Sequence, residues 1–306
     1  MIGTTTTLRK GKVLNDICRI LGLKPGAYHR ILLSNMRHDI QLIFCEMRSG
    51  IGGTSFPELD WILEERRNMV IFCKTISLGF RLISYLWHHA KSKGIHDLEK
   101  WVRLFNSLNW QSYNDETLGF LNINDMAAVT IATDILSVGW DSQSTEDAII
   151  LGEPADVDEF VQKIGRIGRN RQLVSQPRGI LYYTRGALAT AQSIIDAHLP
   201  SYPDEGHHSI DLPTKRDDRE MDISMARLLL AECKPSELNS IYDNLEHDPE
   251  CSCRICAKYP PVRKPAMCNC SGPNCKPELP PVAIIPAVIT SKKPKAKRGE
   301  GISKEL

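Results

Sequence analysis

Between residues 31 and 198 short apolar runs alternate with longer amphipathic ones, and this alternation constrains the fold more than any other property of the chain. The runs are ILL at 31, VIFC at 70, VRLF at 102, AVTIAT at 128, DAIIL at 147 and GILYY at 179. Short and rich in Val and Ile, they read as strands. The stretches between them, PELDWILEERR, SLGFRLISYLWHHAK, DETLGFL and VDEFVQKIGR, read as helices, the first with Pro57 well placed in an opening turn. Strands of this kind joined by helical crossovers imply an α/β fold, a parallel sheet covered by helices on both faces.

The flanks differ. Val13, Leu14, Ile17, Ile20 and Leu21 fall at helical spacing, and Gly22 stands where a helix commonly stops. Residues 199–220 are polar and proline-punctuated, as a linker would be. A small cysteine-rich region follows over 221–275, and the proline- and lysine-rich remainder, 276–306, is expected to be a disordered basic tail. Of ten cysteines, seven lie between Cys233 and Cys275. The first residues lack the apolar stretch of a signal peptide, and no segment offers about 18 uninterrupted apolar residues for a membrane span, so an intracellular, non-membrane protein is expected. In a reducing compartment a cysteine cluster suggests metal rather than disulfides. Hydrophobic residues at 42% and charged residues at 25% argue against wholesale disorder. A net charge of +1 neither requires nor excludes a nucleic-acid partner, because a local basic groove matters more than the total.

The strongest chemical signal is VQKIGRIGRN at 161–170, which fits Q-x-x-G-R-x-G-R on a helix that follows the AIIL strand. Arg166 and Arg169, three residues apart, share a helical face, while Gly165 and Gly168 allow that face to approach a ligand or a neighbouring domain. A guanidinium holds phosphate oxygens bidentately and stays charged as negative charge develops on a γ-phosphate. Upstream, VTIATDILSVGWD sets Thr133 and Asp134 just after a strand, with Gly139 and Asp141 after a turn. Ligands of open parallel sheets lie beyond the carboxyl ends of the strands, so Asp134 suits the ordering of a strand-end loop and Asp141 the contact with a nucleotide ribose or the arginines. Either aspartate alone also reads as a helix cap.

Together these segments resemble motifs V and VI of superfamily 2 helicases, and VIFCKT at 70–75 is similar to their motif IV. Gln162 at the head of motif VI, where RNA helicases of the DEAD-box type usually carry His, points toward RecQ-like DNA helicases of fungal type. LSNMRHDI at 33–40, FPELDW, and the downstream cysteines add to the likeness, and GTTTTL at 3–8 resembles the end of motif III. The resemblance covers roughly residues 3–256. It implies a RecA-like second motor lobe over 41–198, preceded by residues 1–40 as a remnant of the first lobe and an inter-lobe linker. It further implies a 3′ to 5′ DNA helicase using ATP and Mg²⁺, with nuclear localisation, or cytoplasmic failing that. Gln162, Arg166 and Arg169 would complete the catalytic site, Gly139, Asp141, Gly165 and Gly168 would bind the nucleotide, and Lys74, Thr75, Thr133 and Asp134 would contact DNA.

A phosphate-binding G-x-x-x-x-G-K-[ST] is absent from these 306 residues. Asp115-Glu116 and Asp158-Glu159 read as helix starts and Asp204-Glu205 as linker, so no Asp-Glu pair ends an apolar strand to hold Mg²⁺. The expectation is a truncated lobe, inactive alone, with a first lobe lost or supplied in trans. The alternatives are a non-catalytic zinc-containing DNA-binding or interaction module, a gene remnant, or, less favoured, an RNA helicase lobe.

Cys233 followed by C-x-C-x-x-C at Cys251, Cys253 and Cys256 can close a tetrahedral Zn²⁺ site, with His247 as a rival to Cys233. Cys268, Cys270 and Cys275 supply three further thiols, either for a second metal or for none. Arg81, Lys91 and Lys93 add positive charge near the motif IV strand. Trp110 suits either base stacking or half-buried packing.

Overall fold

The computed structural model describes residues 7, 12–24, 26–29, 33–121, 128–133, 136, 140, 142–198, 221–245, 253–258, 260, 262 and 264–276. The α/β expectation is met by six parallel strands: β1 (Gln41–Met47), β2 (Met69–Cys73), β3 (Val102–Phe105), β4 (Val129–Ala132), β5 (Asp147–Leu151) and β6 (Arg178–Thr184). They lie in the order β1-β6-β5-β2-β4-β3. From central β2 the chain builds outward to β3 and β4 on one side, then crosses to β5 and β6 on the other. The register aligns Phe72 with Ala132 and Ala132 with Phe105, so β2, β4 and β3 end together at one edge.

Alternation within each strand sends neighbouring side chains to opposite faces. Val70, Phe72, Ala148, Ile150, Leu42 and Leu181 belong to one buried cluster, and Met69, Ile71, Cys73, Ile149, Leu151 and Ile43 to the other. This second face is covered by a 3-10 turn (Pro57–Leu59) and by α3 (Ile76–Ser92), through Phe56, Leu59, Leu78, Leu82 and Leu86. Gly79 lets α3 lie close, since a Cβ there would stand 2.9 Å from Leu104 Cδ1. The first face is covered by α6 (Val157–Ile164) and α7 (Ala187–His198), with α5 (Gln111–Leu121) toward the β3 side. The helices α8 (Ile223–Leu230) and α9 (Lys234–Tyr242) extend the same cluster through Met225, Leu228, Leu229, Leu238 and Tyr242. The cysteine-rich region thus shares its apolar contacts with the sheet.

Local chemistry sets the helix starts. Thr75, Asp156 and Asp222 occupy the N-caps of α3, α6 and α8, their side-chain oxygens accepting backbone N–H groups of Leu78 at 3.1 Å, Glu159 at 2.8 Å and Met225 at 2.8 Å. Glu159 reaches back to accept from the Ala155 N–H, one residue before the N-cap, which satisfies a further backbone donor at the α6 start. The remaining helices are α1 (Lys12–Ile20), α2 (Ile62–Glu65), α4 (Leu98–Trp101) and α10 (Arg254–Lys258).

Three expectations are corrected. The sheet begins with β1 at Gln41, whereas Leu33 of the ILL run is exposed and outside any strand, and Ile31 and Leu32 lie outside the described residues. PELDWILEERR does not form one helix. It breaks into the 3-10 turn and the four-residue α2, ending at Arg66 with φ of 46°. Arg166 and Arg169 do not share a helical face, because α6 ends at Ile164 and both lie in the turn beyond it. The linker, 199–220, and the tail beyond residue 276 lie outside the described residues, as does GTTTTL apart from Thr7. No helix among the described residues is long and apolar enough to cross a membrane.

Candidate functional site

The Q-x-x-G-R-x-G-R segment is held by the residues that lead into β5 and β6. Gly168 donates its N–H to the Thr145 carbonyl at 3.0 Å, and its carbonyl accepts from Arg37 Nη2 at 2.9 Å. The same Arg37 nitrogen bonds the Ile167 carbonyl at 3.2 Å, while the guanidinium forks onto Asp39 at 2.8 and 2.7 Å. Burial raises the Asp39 pKa, but the Arg37 hydrogen bonds and charge outweigh it and leave the carboxyl below its ordinary value. Gly168 has φ of +60°, and a Cβ there would stand 2.7 Å from Pro177 Cγ, so the second glycine of the motif meets both a backbone and a packing demand.

Within this frame the two arginines differ. Arg166, half-buried, donates to the Trp140 carbonyl at 3.1 Å, which ties the Q-x-x-G-R-x-G-R segment to the end of the VTIATDILSVGWD segment. Arg169 is exposed and bonds the Gly165 carbonyl at 3.3 Å. Gln162 is exposed in the last turn of α6. Asp134, Gly139 and Asp141 lie outside the described residues. Arg37, Asp39 and Pro177 were not singled out by sequence. LSNMRHDI was visible as a segment, but a clamp spanning about 130 residues leaves no local pattern.

The strand-end residues lie at the other end of the sheet. Lys74 and Thr75 follow β2, and Thr133 follows β4 on the adjacent strand. Thr75 caps α3 through an acceptor lone pair, and its hydroxyl proton is still available to a ligand. Lys74 is exposed and lines a cleft of about 420 Å³ with Glu153, Pro154, His198 and Met221. That cleft lies past the ends of β2 and β5, where the chain reverses its direction of building, the usual ligand position in such sheets. Arg81 is engaged by the carbonyls of Ile51 and Gly53, and Lys93 by Glu64 at 2.7 Å. The arginines and the strand-end residues therefore lie on opposite sides, separated by the length of the strands.

A third feature is a knot of four cysteines. Cys233, at the N-cap of α9, meets Cys268, Cys270 and Cys275, all four sulfurs lying within 4.8 Å of one another. A tetrahedral site with metal–sulfur bonds near 2.3 Å has sulfur–sulfur edges of about 3.8 Å. The Cys233–Cys268 separation is 3.7 Å, so the group fits a metal ion. Burial raises the Cys268 thiol to about 11. Burial also acts to raise Cys270, yet backbone N–H groups of Gly272 and Lys234 outweigh it and lower its pKa. The knuckle approaches the α8–α9 corner so closely that a Cβ on Gly272 would stand 2.0 Å from the Glu232 carbonyl oxygen. It also docks on the sheet edge: Ser271 N–H donates to the Leu42 carbonyl at 3.0 Å, and its hydroxyl accepts from Phe44 N–H at 2.7 Å. Of the expected ligand set only Cys233 belongs to this group. Cys253 is exposed and apart from it, while Cys251, His247 and the Cys256 side chain lie outside the described residues.

No protein-family model and no curated protein sequence matches the chain. Solved structures similar to part of it include the Mycobacterium smegmatis helicase Lhr bound to ssDNA and AMP-PNP, at 19% identity and a TM-score of 0.39, covering 51% of this chain and 21% of that one. Another is the DEAD-box helicase Mss116 bound to ssRNA and UDP-BeF, at 15% identity and 0.45, covering 63% and 38%. A third is S. cerevisiae Dbp5 bound to RNA and ADP BeF3, at 19% and 0.39, covering 56% and 42%. The chain spans less than two thirds of the length of each.

Proposed function

We propose that this chain is the second motor lobe of a RecQ-like, superfamily 2, ATP-dependent 3′ to 5′ DNA helicase. The observation that carries the reading is the motif VI turn: Gly168 locked by Arg37, Thr145 and Pro177, with Arg166 tied to the motif V segment and Arg169 left exposed. A charge presented from so constrained a turn suits transition-state stabilisation, which depends on groups positioned before the reaction. Arg169 and Arg166 stabilise charge on the γ-phosphate of an ATP and Mg²⁺ held by a P-loop lobe outside these 306 residues. Lys74, Thr75 and Thr133 grip the sugar-phosphate backbone at the opposite sheet end without reading sequence. The family resemblance alone assigns Asp134 to contact with DNA and Gly139 and Asp141 to the nucleotide. Coupling the two ends through one rigid lobe lets closure around ATP shift the bound strand.

Cys233, Cys268, Cys270 and Cys275 hold a structural Zn²⁺, which supplies a fourfold tie between the α8–α9 corner and the knuckle. Lys234, with only 4% exposure and its Nζ bonded to the Leu229 and Ala231 carbonyls, offsets the negative charge of the thiolates.

The test joins the chain to a RecQ-like first lobe and measures unwinding of 3′-tailed DNA and RNA duplexes. Preferential DNA unwinding supports the reading. RNA unwinding alone assigns an RNA helicase lobe instead, and no ATP-dependent unwinding of either removes the motor role.

A further inference from the structure

The turn between β3 and α5, Asn106–Trp110, is polar inside and apolar outside. Asn106 is fully buried, and its side-chain oxygen accepts the Leu108 N–H at 2.8 Å. Asn114 Nδ2 donates to the Asn106 carbonyl at 2.9 Å, and Asn109 Nδ2 bonds both the Leu104 carbonyl and Asn114 Oδ1. The Trp110 carbonyl accepts the Asn114 N–H at 3.1 Å, so Trp110 begins α5. Three asparagines thus fix a turn whose two large side chains stand in solvent, Leu108 at 72% and Trp110 at 86% exposure. The half-buried packing open to Trp110 from sequence does not occur. In the same turn, Asn106 Nδ2 is buried without a hydrogen-bond partner.

The indole and the isobutyl group stand side by side in solvent on a turn fixed from within, which leaves a small flat apolar surface open to a ligand. Two side chains make too small a patch for a stable protein partner, which covers about 800 Å² on each side. One indole and one isobutyl group match the face of one or two nucleobases. Position agrees: β3 ends level with β4 and β2, so the turn shares its sheet edge with Thr133, Lys74 and Thr75. The neighbouring acids of α5 are engaged, Glu116 with Arg103 and Asp115 with Gln111, both at 2.8 Å.

We infer that the Asn106–Trp110 turn is a stacking step for a base of single-stranded nucleic acid, with Trp110 as the platform and Leu108 beside it. The inference rests on the helicase reading, which supplies a strand at this edge. Stacking tolerates every base, so the step adds affinity without sequence preference.

The experiment measures binding of fluorescein-labelled oligo-dT and oligo-U single strands to the full 306-residue chain by anisotropy at low salt. The variants are Trp110→Ala, Trp110→Phe and Lys74→Ala, with circular-dichroism melts as a folding check. Trp110→Ala is expected to weaken binding about 5- to 150-fold with an unchanged melt, and Trp110→Phe to restore most of the loss. Lys74→Ala should lower the salt dependence while leaving ligand quenching of tryptophan fluorescence intact. The dT and U arms tell which strand is preferred. Wild-type-like affinity of Trp110→Ala, in a chain that binds, overturns the stacking step and leaves the helicase reading standing. A wild-type chain that binds neither strand overturns both.

Discussion

Gly168 and Gly272 show how a single missing Cβ fixes a site. At Gly168 a left-handed backbone and a proline 2.7 Å away act together, so Gly168→Ala should cost about 1–2 kcal/mol for the conformation alone, plus the displacement of Pro177. Its urea midpoint should fall with an unchanged slope, whereas Gly119→Ala, where a Cβ meets open space in a helix, should match or exceed wild type. Equal midpoints for the two would remove the strain argument. The arginines of the motif were legible because their spacing is local. Arg37, which holds their turn, was not, since its partners lie about 130 residues away and only the fold brings them together.

Among elements, β2 to β6 and the helices α3, α5 and α6 were readable from apolar runs and caps, because each buries a continuous stretch against the sheet. The first strand escaped notice because QLIFCEM carries Gln41 and Glu46 and forms an edge, where polar residues are tolerated. The helix α7 is alanine-rich and buries only Ala187 and Ala191, with Ile194 and Ile195 half-buried against the same cluster, which leaves a weak apolar stripe. Cys268, Cys270 and Cys275 were visible in sequence as three further thiols, but their meeting with Cys233 was not, because it depends on the close pass of Gly272 over Glu232 and on Ser271 pairing with β1. These contacts make the knuckle a cover for the open edge of the sheet. Removing the metal by thiol modification and chelation should therefore release about one Zn²⁺ per chain and speed hydrogen exchange in Gln41–Met47 well above that in buried β5. Cys270→Ser should lose the metal and Cys253→Ser should keep it. A Cys253→Ser protein without metal, or β1 exchange indifferent to chelation, would contradict this ligand set.

At the scale of the whole molecule, one sheet holds the two groups of candidate residues at its two ends, with the arginine turn beside the starts of β5 and β6 and the strand-end residues past β2, β4 and β3. The buried cluster that runs from the sheet through α6 and α7 into α8 and α9 makes the cysteine region part of the same packed face. A ligand-driven push on the arginine turn would therefore move the strand-end loops with it as a unit. The general class, a parallel α/β lobe, was legible in the alternation of strands and helices. The separation of its two sites was not, because it depends on α6 running back along the sheet before the arginines are reached. The most direct measurement is the nucleic-acid-stimulated ATPase rate of the chain joined to a P-loop lobe, compared with its Arg169→Ala variant. The account predicts a loss of about 10³- to 10⁵-fold with little change in nucleotide binding. A wild-type rate from Arg169→Ala would contradict it.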